Sequence, residues 1–197
     1  MLYSVRGKLI HTGISSAVVE CGGVGYLCQT TLNTLKNLKL NTEVTLYTYL
    51  NVREDAIDLF GFSTQTELET FKNLISVSGV GPKAGLSVLS ELTPEQVAMA
   101  IASDDIKTIT RAQGIGKKIA QRIVLELKDK LAKSVQTQDT QTGAAPISTG
   151  GNIPKAVEAL GVLGYQPSDV TPVLSQLDST LPVEQLIALT LKQMGRK

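Results

Sequence analysis

Three changes of pattern along the chain predict an α+β, multidomain fold: a small β-barrel, an all-α segment and a small helical bundle. Apolar residues recur with period two as far as Phe62 and with helical spacing from Ser63, and a Ser/Thr/Gln/Gly-rich stretch then sets the last apolar segment apart. With 197 residues, 42% of them apolar, the chain is long enough for one medium or two to three small domains.

The barrel comes first. Leu2 to Ile10, Ser16 to Cys21, Tyr26 to Thr30, Glu43 to Tyr49 and Ala56 to Phe60 alternate as five short strands. Gly22-Gly23-Val24-Gly25 resembles a nucleotide loop, but no helical pattern follows it, so a hairpin turn between the second and third strands is expected. Thr31 to Leu38 has room for one helical turn or two, where an OB-type barrel often carries an insertion. The unit spans residues 1–63.

Residues 64–133 read as short helices. Thr64 and Glu67 have capping-box spacing, Thr93-Pro94-Glu95-Gln96 is a second start signal, and Ser103-Asp104-Asp105 opens a further helix. Residues 134–152 contain almost no large apolar side chain and read as a flexible linker. Residues 153–197, with Pro154 and Pro182 near helix starts and Gly164 as a C-cap, supply three small helices.

Charge and reactive side chains narrow the function. The net charge is only +1, yet between Lys107 and Lys133 eight basic residues (Lys107, Arg111, Lys117, Lys118, Arg122, Lys128, Lys130, Lys133) face only Glu126 and Asp129. Cys21, Cys28 and His11 cannot supply a zinc site or a disulfide framework, and they read as strand or turn residues. No metal, cofactor or catalytic group is expected. No apolar run reaches the roughly 18 residues of a membrane span, and Arg6 and Lys8 interrupt the N-terminus, so a cytoplasmic location is expected.

The central segment repeats itself at a constant offset of 35 residues: Gly79-Val80-Gly81-Pro82-Lys83 aligns with Gly114-Ile115-Gly116-Lys117-Lys118, and Glu91-Leu92 with Glu126-Leu127. Two copies are too few for a solenoid, which needs about three units. In each copy one helix ends in Gly-apolar-Gly and the next begins at once, the pattern of a helix-hairpin-helix. Glycine lets the backbone come close to a ligand, so the loop N–H groups and the following helix N-terminus converge on one anion. Val80 and Ile115 plug between their helices. Lys83, Lys117 and Lys118 add charge, and Arg122, one turn beyond Lys118, extends that face. The spacing of a P-loop is absent. The bland reading is a pair of glycine helix caps; two copies with lysine at the same place favour DNA phosphate, held without regard to base sequence.

From end to end the chain resembles the RuvA family of Holliday-junction branch-migration subunits. The resemblance rests on Tyr3-Ser4-Val5-Arg6-Gly7, on Val52-Arg53-Glu54-Asp55-Ala56 with Leu59-Phe60-Gly61-Phe62, on the two hairpins, and on a linker before a domain containing Leu163-Gly164-Tyr165. It implies an OB-fold barrel, a tandem helix-hairpin-helix domain and a UBA-like three-helix domain. It also implies a homotetramer, or an octamer on DNA, that holds four-way junction DNA open during recombination and repair in the bacterial nucleoid. Glu54 and Asp55, otherwise hairpin-turn acids, fall where the family places its acidic pin. Leu160, Leu163, Tyr165 and Leu191 match contacts to the RuvB ATPase, with core packing of the small bundle as their alternative. The RuvC resolvase is a further implied partner. Two other readings stand beside this one: a nuclease or glycosylase built on the same hairpins, for which Glu126 and Asp129 offer no clear metal partner, and a protein-interaction adaptor whose glycines are only caps.

Overall fold

The computed structural model describes residues 2–136 and 152–195. Five strands, β1 (Ser4–Thr12), β2 (Ser16–Cys21), β3 (Val24–Gln29), β4 (Glu43–Val52) and β5 (Ile57–Phe62), close into a barrel in the order β1-β2-β3-β5-β4. All neighbours are antiparallel except β3 and β5, which meet in parallel at Gln29 and Phe60. Alternation selects the filling: Val5, Leu9, Ala17, Val19, Cys28 and Leu46 are buried inside. A register shift between Leu9 and His11 bends β1, which pairs with β2 on one side and β4 on the other. Gly22 and Gly23 both have positive φ, +58° and +87°, as a two-residue hairpin turn requires.

Thr31 caps a short helix, α1 (Leu32–Asn37), accepting from the Thr34 N–H, so the predicted insertion is helical. α2 (Gln65–Ile75) follows the barrel with Thr64 as its cap. Here the structure departs from the expected capping box. Glu67 donates its backbone N–H to Thr64 Oγ1, but its carboxylate turns away from the Thr64 amide. It accepts instead from the hydroxyls of Thr31, Thr34 and Ser63 and from the Ser63 N–H. Two buried threonine hydroxyls and the half-buried Ser63 outcompete one exposed amide for this carboxylate. The link binds β3, α1, β5 and α2 together, and Phe71 of α2 packs against Tyr49, Phe60 and Phe62 with ring centroids 4.8 to 5.7 Å away.

The remaining helices are α3 (Pro82–Glu91), α4 (Pro94–Ala102), α5 (Ile106–Ile109), α6 (Lys117–Gln136), α7 (Ile153–Val162), α8 (Pro167–Leu174) and α9 (Val183–Met194). The capping box at Thr93 and Gln96 is complete, and Asp105 caps α5 through the Thr108 N–H. Thr108 hydrogen bonds hold the Asp105 carboxyl below the usual range. α6 runs 20 residues to Gln136, so Ser134, Val135 and Gln136, expected in the linker, are helical: neither Gly nor Pro interrupts the chain from Lys117 to Gln136. At the other edge Asn152 is the residue before α7, and its Nδ2 donates to the Leu181 carbonyl at 2.8 Å. The rest of the expected linker, 137–151, lies outside the described residues.

The last three helices pack back onto the central ones, α7 against α6 and α9 against α4, within one continuous apolar core. Asn73 Nδ2 donates to the Val162 carbonyl at 2.9 Å across this contact. Gly164, at φ +99°, ends α7 as expected. Among the described residues no helix is long and apolar enough to cross a membrane.

Candidate nucleic-acid interface

The two glycine loops have the same backbone. Gly79 and Gly114 sit at φ +86° and +81°, angles that strain any side chain. The next residue turns inward in each: Val80 and Ile115 are 4% and 5% exposed, and their N–H groups donate to Val77 and Ala112 at 3.0 and 3.1 Å. The first helical bonds then run from Gly85 to Gly81 and from Ala120 to Gly116, each 3.0 Å. The first-turn N–H groups before them, Lys83 and Ala84 in α3 and Lys117, Lys118 and Ile119 in α6, have no partner within their helices.

Gly81 and Gly116 are a different case. Neither has a positive φ, and a Cβ added to either would meet nothing within 4 Å. The fold therefore does not require glycine there. A ligand coming close to the backbone would favour it, and free N–H groups at a helix start with exposed Lys83, Lys117 and Lys118 around them suit an anion.

Part of the basic excess seen in sequence is engaged within the chain. Lys128 pairs with Asp104 at 2.5 Å, and Lys130 donates to Ser76 Oγ at 2.5 Å. Arg122 does not simply extend the second hairpin's face. Its guanidinium crosses to the first hairpin, donating from Nη1 to the Ser78 carbonyl at 3.1 Å, with Glu126 Oε1 3.8 Å from Nε. Helical spacing places Arg122 beside Lys118 on α6 but carries no information about an element 44 residues earlier.

Glu54 and Asp55 stand exposed at the tip of the β4–β5 hairpin. The Arg53 N–H closes the turn on the Ala56 carbonyl at 2.8 Å, and its guanidinium pairs with Asp58 at 2.9 Å. Between this hairpin and the first glycine loop lies a cleft of about 780 Å³, walled by Gln29, Asn51 and Arg53 on the barrel and by Gly81, Pro82 and Lys83 on the hairpin. Gln29 and Asn51 escaped the sequence reading because outward-facing amides on strands carry no signal of their own.

Comparison with known proteins joins these parts. Residues 1–61 match the family model for the RuvA N-terminal domain, 71–129 the SAM-like helix-hairpin-helix tandem, and 155–195 the RuvA C-terminal domain. Over the whole of both chains, the protein is 46% identical to the Holliday junction branch migration complex subunit RuvA of Acetivibrio thermocellus. The chain belongs to the RuvA family. Proteins of the same name from Ruminiclostridium cellulolyticum and Corynebacterium efficiens are 39% and 38% identical, matching 98% and 100% of this chain and all of their own length. The three family regions fall on the barrel, the paired hairpins and the last three helices, in the order the sequence pattern predicts.

The RuvA C-terminal region holds Leu160, Leu163, Tyr165 and Leu191, expected as partner contacts. All four are buried, none more than 6% exposed, and they belong to the core shared with the central helices. In this arrangement they pack in the core, the alternative that stands beside partner contact in the sequence. Apolar side chains at helical spacing serve a bundle's core and a partner equally well, so sequence alone does not separate the two. The Tyr165 hydroxyl is buried without a hydrogen-bond partner among the described residues, and desolvation, with the Glu95 charge nearby, pushes its pKa well above the usual phenol value.

Proposed function

We propose that this protein is a non-catalytic DNA-junction subunit that holds a four-way junction open and recruits an ATPase of the RuvB type; its relatives are named as subunits of a Holliday junction branch migration complex. The observation that carries the reading is the pair of glycine loops, each with a second glycine that the fold itself does not need. Gly79, Val80 and Gly81 with Lys83 form one phosphate grip, and Gly114, Ile115 and Gly116 with Lys117 and Lys118 form the other. Arg122 sits between them.

Such grips read backbone position only, so preference for a junction has to come from elsewhere. Glu54 and Asp55 are the proposed source. In a fourfold assembly their carboxylates would gather at the centre, repelling phosphates, steering separated strands through the crossover and disfavouring a continuous duplex. The C-terminal domain is the proposed site for the ATPase. Leu160, Leu163, Tyr165 and Leu191 can reach that partner only if the domain leaves the central helices. RuvC as a partner, the tetramer or octamer, and a place in the bacterial nucleoid belong to the same proposal.

Replacing Lys118 by Ala tests the grips. Affinity should fall alike for junctions of unrelated sequence, and the slope of log K against log salt should flatten by about one. An unchanged slope with unchanged affinity would remove Lys118 from the interface.

A further inference from the structure

Two hydrogen bonds tie the hairpins to each other, and they obey the same 35-residue offset as the sequence repeat. Arg122 in α6 donates to the carbonyl of Ser78, the residue before Gly79, at 3.1 Å. Ser87 in α3 donates from Oγ to the carbonyl of Gln113, the residue before Gly114, at 2.7 Å. Ser87 and Arg122 occupy equivalent repeat positions, and so do Ser78 and Gln113. The second helix of each hairpin therefore holds the loop of the other, by a short hydroxyl in one direction and a long guanidinium in the other. Glu126 reinforces the first loop, accepting the Ser78 N–H at 3.3 Å.

We propose that Ser87 and Arg122 are positioning residues, each aiming the phosphate grip of the opposite hairpin. The peptide unit supplies the mechanism. The Ser78 carbonyl and the Gly79 N–H belong to one planar trans peptide and point in opposite directions. Holding the carbonyl toward the neighbouring hairpin turns the Gly79 N–H away from it. The Gln113–Gly114 peptide is held in the same way. Glycine at φ +86° or +81° is conformationally permissive, so without the clamp this plane is the freest part of the loop. With both clamps the two grips hold a fixed relation to each other.

This inference rests on the hairpins gripping phosphate, and double-mutant cycles on the full chain test it. The affinity for a synthetic four-way junction is measured by fluorescence anisotropy at fixed salt for Ser87→Ala, Arg122→Gln, Lys83→Ala, Lys118→Ala and their pairs. Ser87→Ala should weaken binding about threefold to tenfold, the worth of one such hydrogen bond. That loss should persist with Lys83→Ala and shrink below about twofold with Lys118→Ala, the grip that Ser87 aims. Arg122→Gln should show the reverse pattern, coupling to Lys83→Ala. Ser87→Thr, which keeps the hydroxyl, should restore binding. Ser87→Ala is the least intrusive change, so its cycles decide. Additive cycles, or coupling within the same hairpin, would overturn the cross-clamp while leaving the grips intact. A wild-type chain that binds no junction, or lysine variants that bind as well as wild type, would overturn the grips themselves and the clamp with them.

Discussion

Replacing Glu67 by alanine should destabilise the protein by about 4 kcal/mol. Glu67 is 4% exposed, and it is the one charged side chain in the buried class among the described residues. Its carboxylate accepts the hydroxyls of Thr31 and Thr34, both fully buried, and bonds from the half-buried Ser63. Those threonines cannot easily turn elsewhere. Thr31 Oγ1 already accepts the Thr34 N–H at 3.0 Å and Thr34 Oγ1 the Ser63 N–H at 3.1 Å, and apart from Glu67 the Thr34 proton has only a long contact to Ser63 Oγ at 3.5 Å. Alanine strands two buried donors at about 1 to 3 kcal/mol each, which brackets the estimate. For a chain of this size the melting temperature should fall by about 8 to 16 °C. Glu67→Gln, which keeps an acceptor oxygen, should lose less than half as much. Urea unfolding monitored by circular dichroism measures both. A loss below about 0.5 kcal/mol for Glu67→Ala would refute the reasoning, since it would mean the hydroxyls find other partners.

Gly116→Ala should leave the melting temperature nearly unchanged, because a Cβ there meets nothing and φ is ordinary, yet weaken junction binding by obstructing the ligand's approach. Unchanged affinity would remove the ligand as the reason for this glycine. Gly164→Ala should loosen the C-terminal domain, since the new Cβ would lie 2.7 Å from Glu69 Cβ at a strained φ of +99°. Amide exchange should quicken in α7 and stay as it was in the barrel; equal protection would count against the packing described. Burial, reinforced by Cys21, pushes the Cys28 thiol up from 9.0 to about 11. The folded state holds this proton more tightly, so its contribution is complete below about pH 9 and is lost as pH rises through 11, about 2 to 3 kcal/mol in all. Cys28→Ala should therefore lose less stability than wild type between about pH 8 and 11 in urea titrations. Parallel curves would contradict it.

The barrel and the hairpins were legible in the sequence because their signals are local. Alternation in Val5, Leu9, Ala17 and Val19 gave the barrel its inside, and two glycine loops at one offset revealed a paired motif. What stayed hidden depends on contacts between distant segments. Glu67 has perfect spacing for a capping box, but its carboxylate answers to Thr31 and Thr34, more than 30 residues away. Arg122 looks like one more exposed cation until α6 is laid beside the first loop. Leu160, Leu163, Tyr165 and Leu191 are equally plausible as core or surface until their burial is seen. Glu54 and Asp55 needed the family pattern: an acid at a hairpin tip is ordinary, and the structure of one chain places theirs in the open.

In the proposed function the hairpins grip DNA phosphates and the barrel's acids select the junction. Equilibrium binding of the full chain to a four-way junction and to a linear duplex of the same arm sequence, each over a series of salt concentrations, tests it most directly. Tighter binding to the junction is predicted, with a steep salt dependence on both DNAs and a preference that narrows when Glu54 and Asp55 are changed to Gln and Asn. Equal affinity for junction and duplex would contradict it.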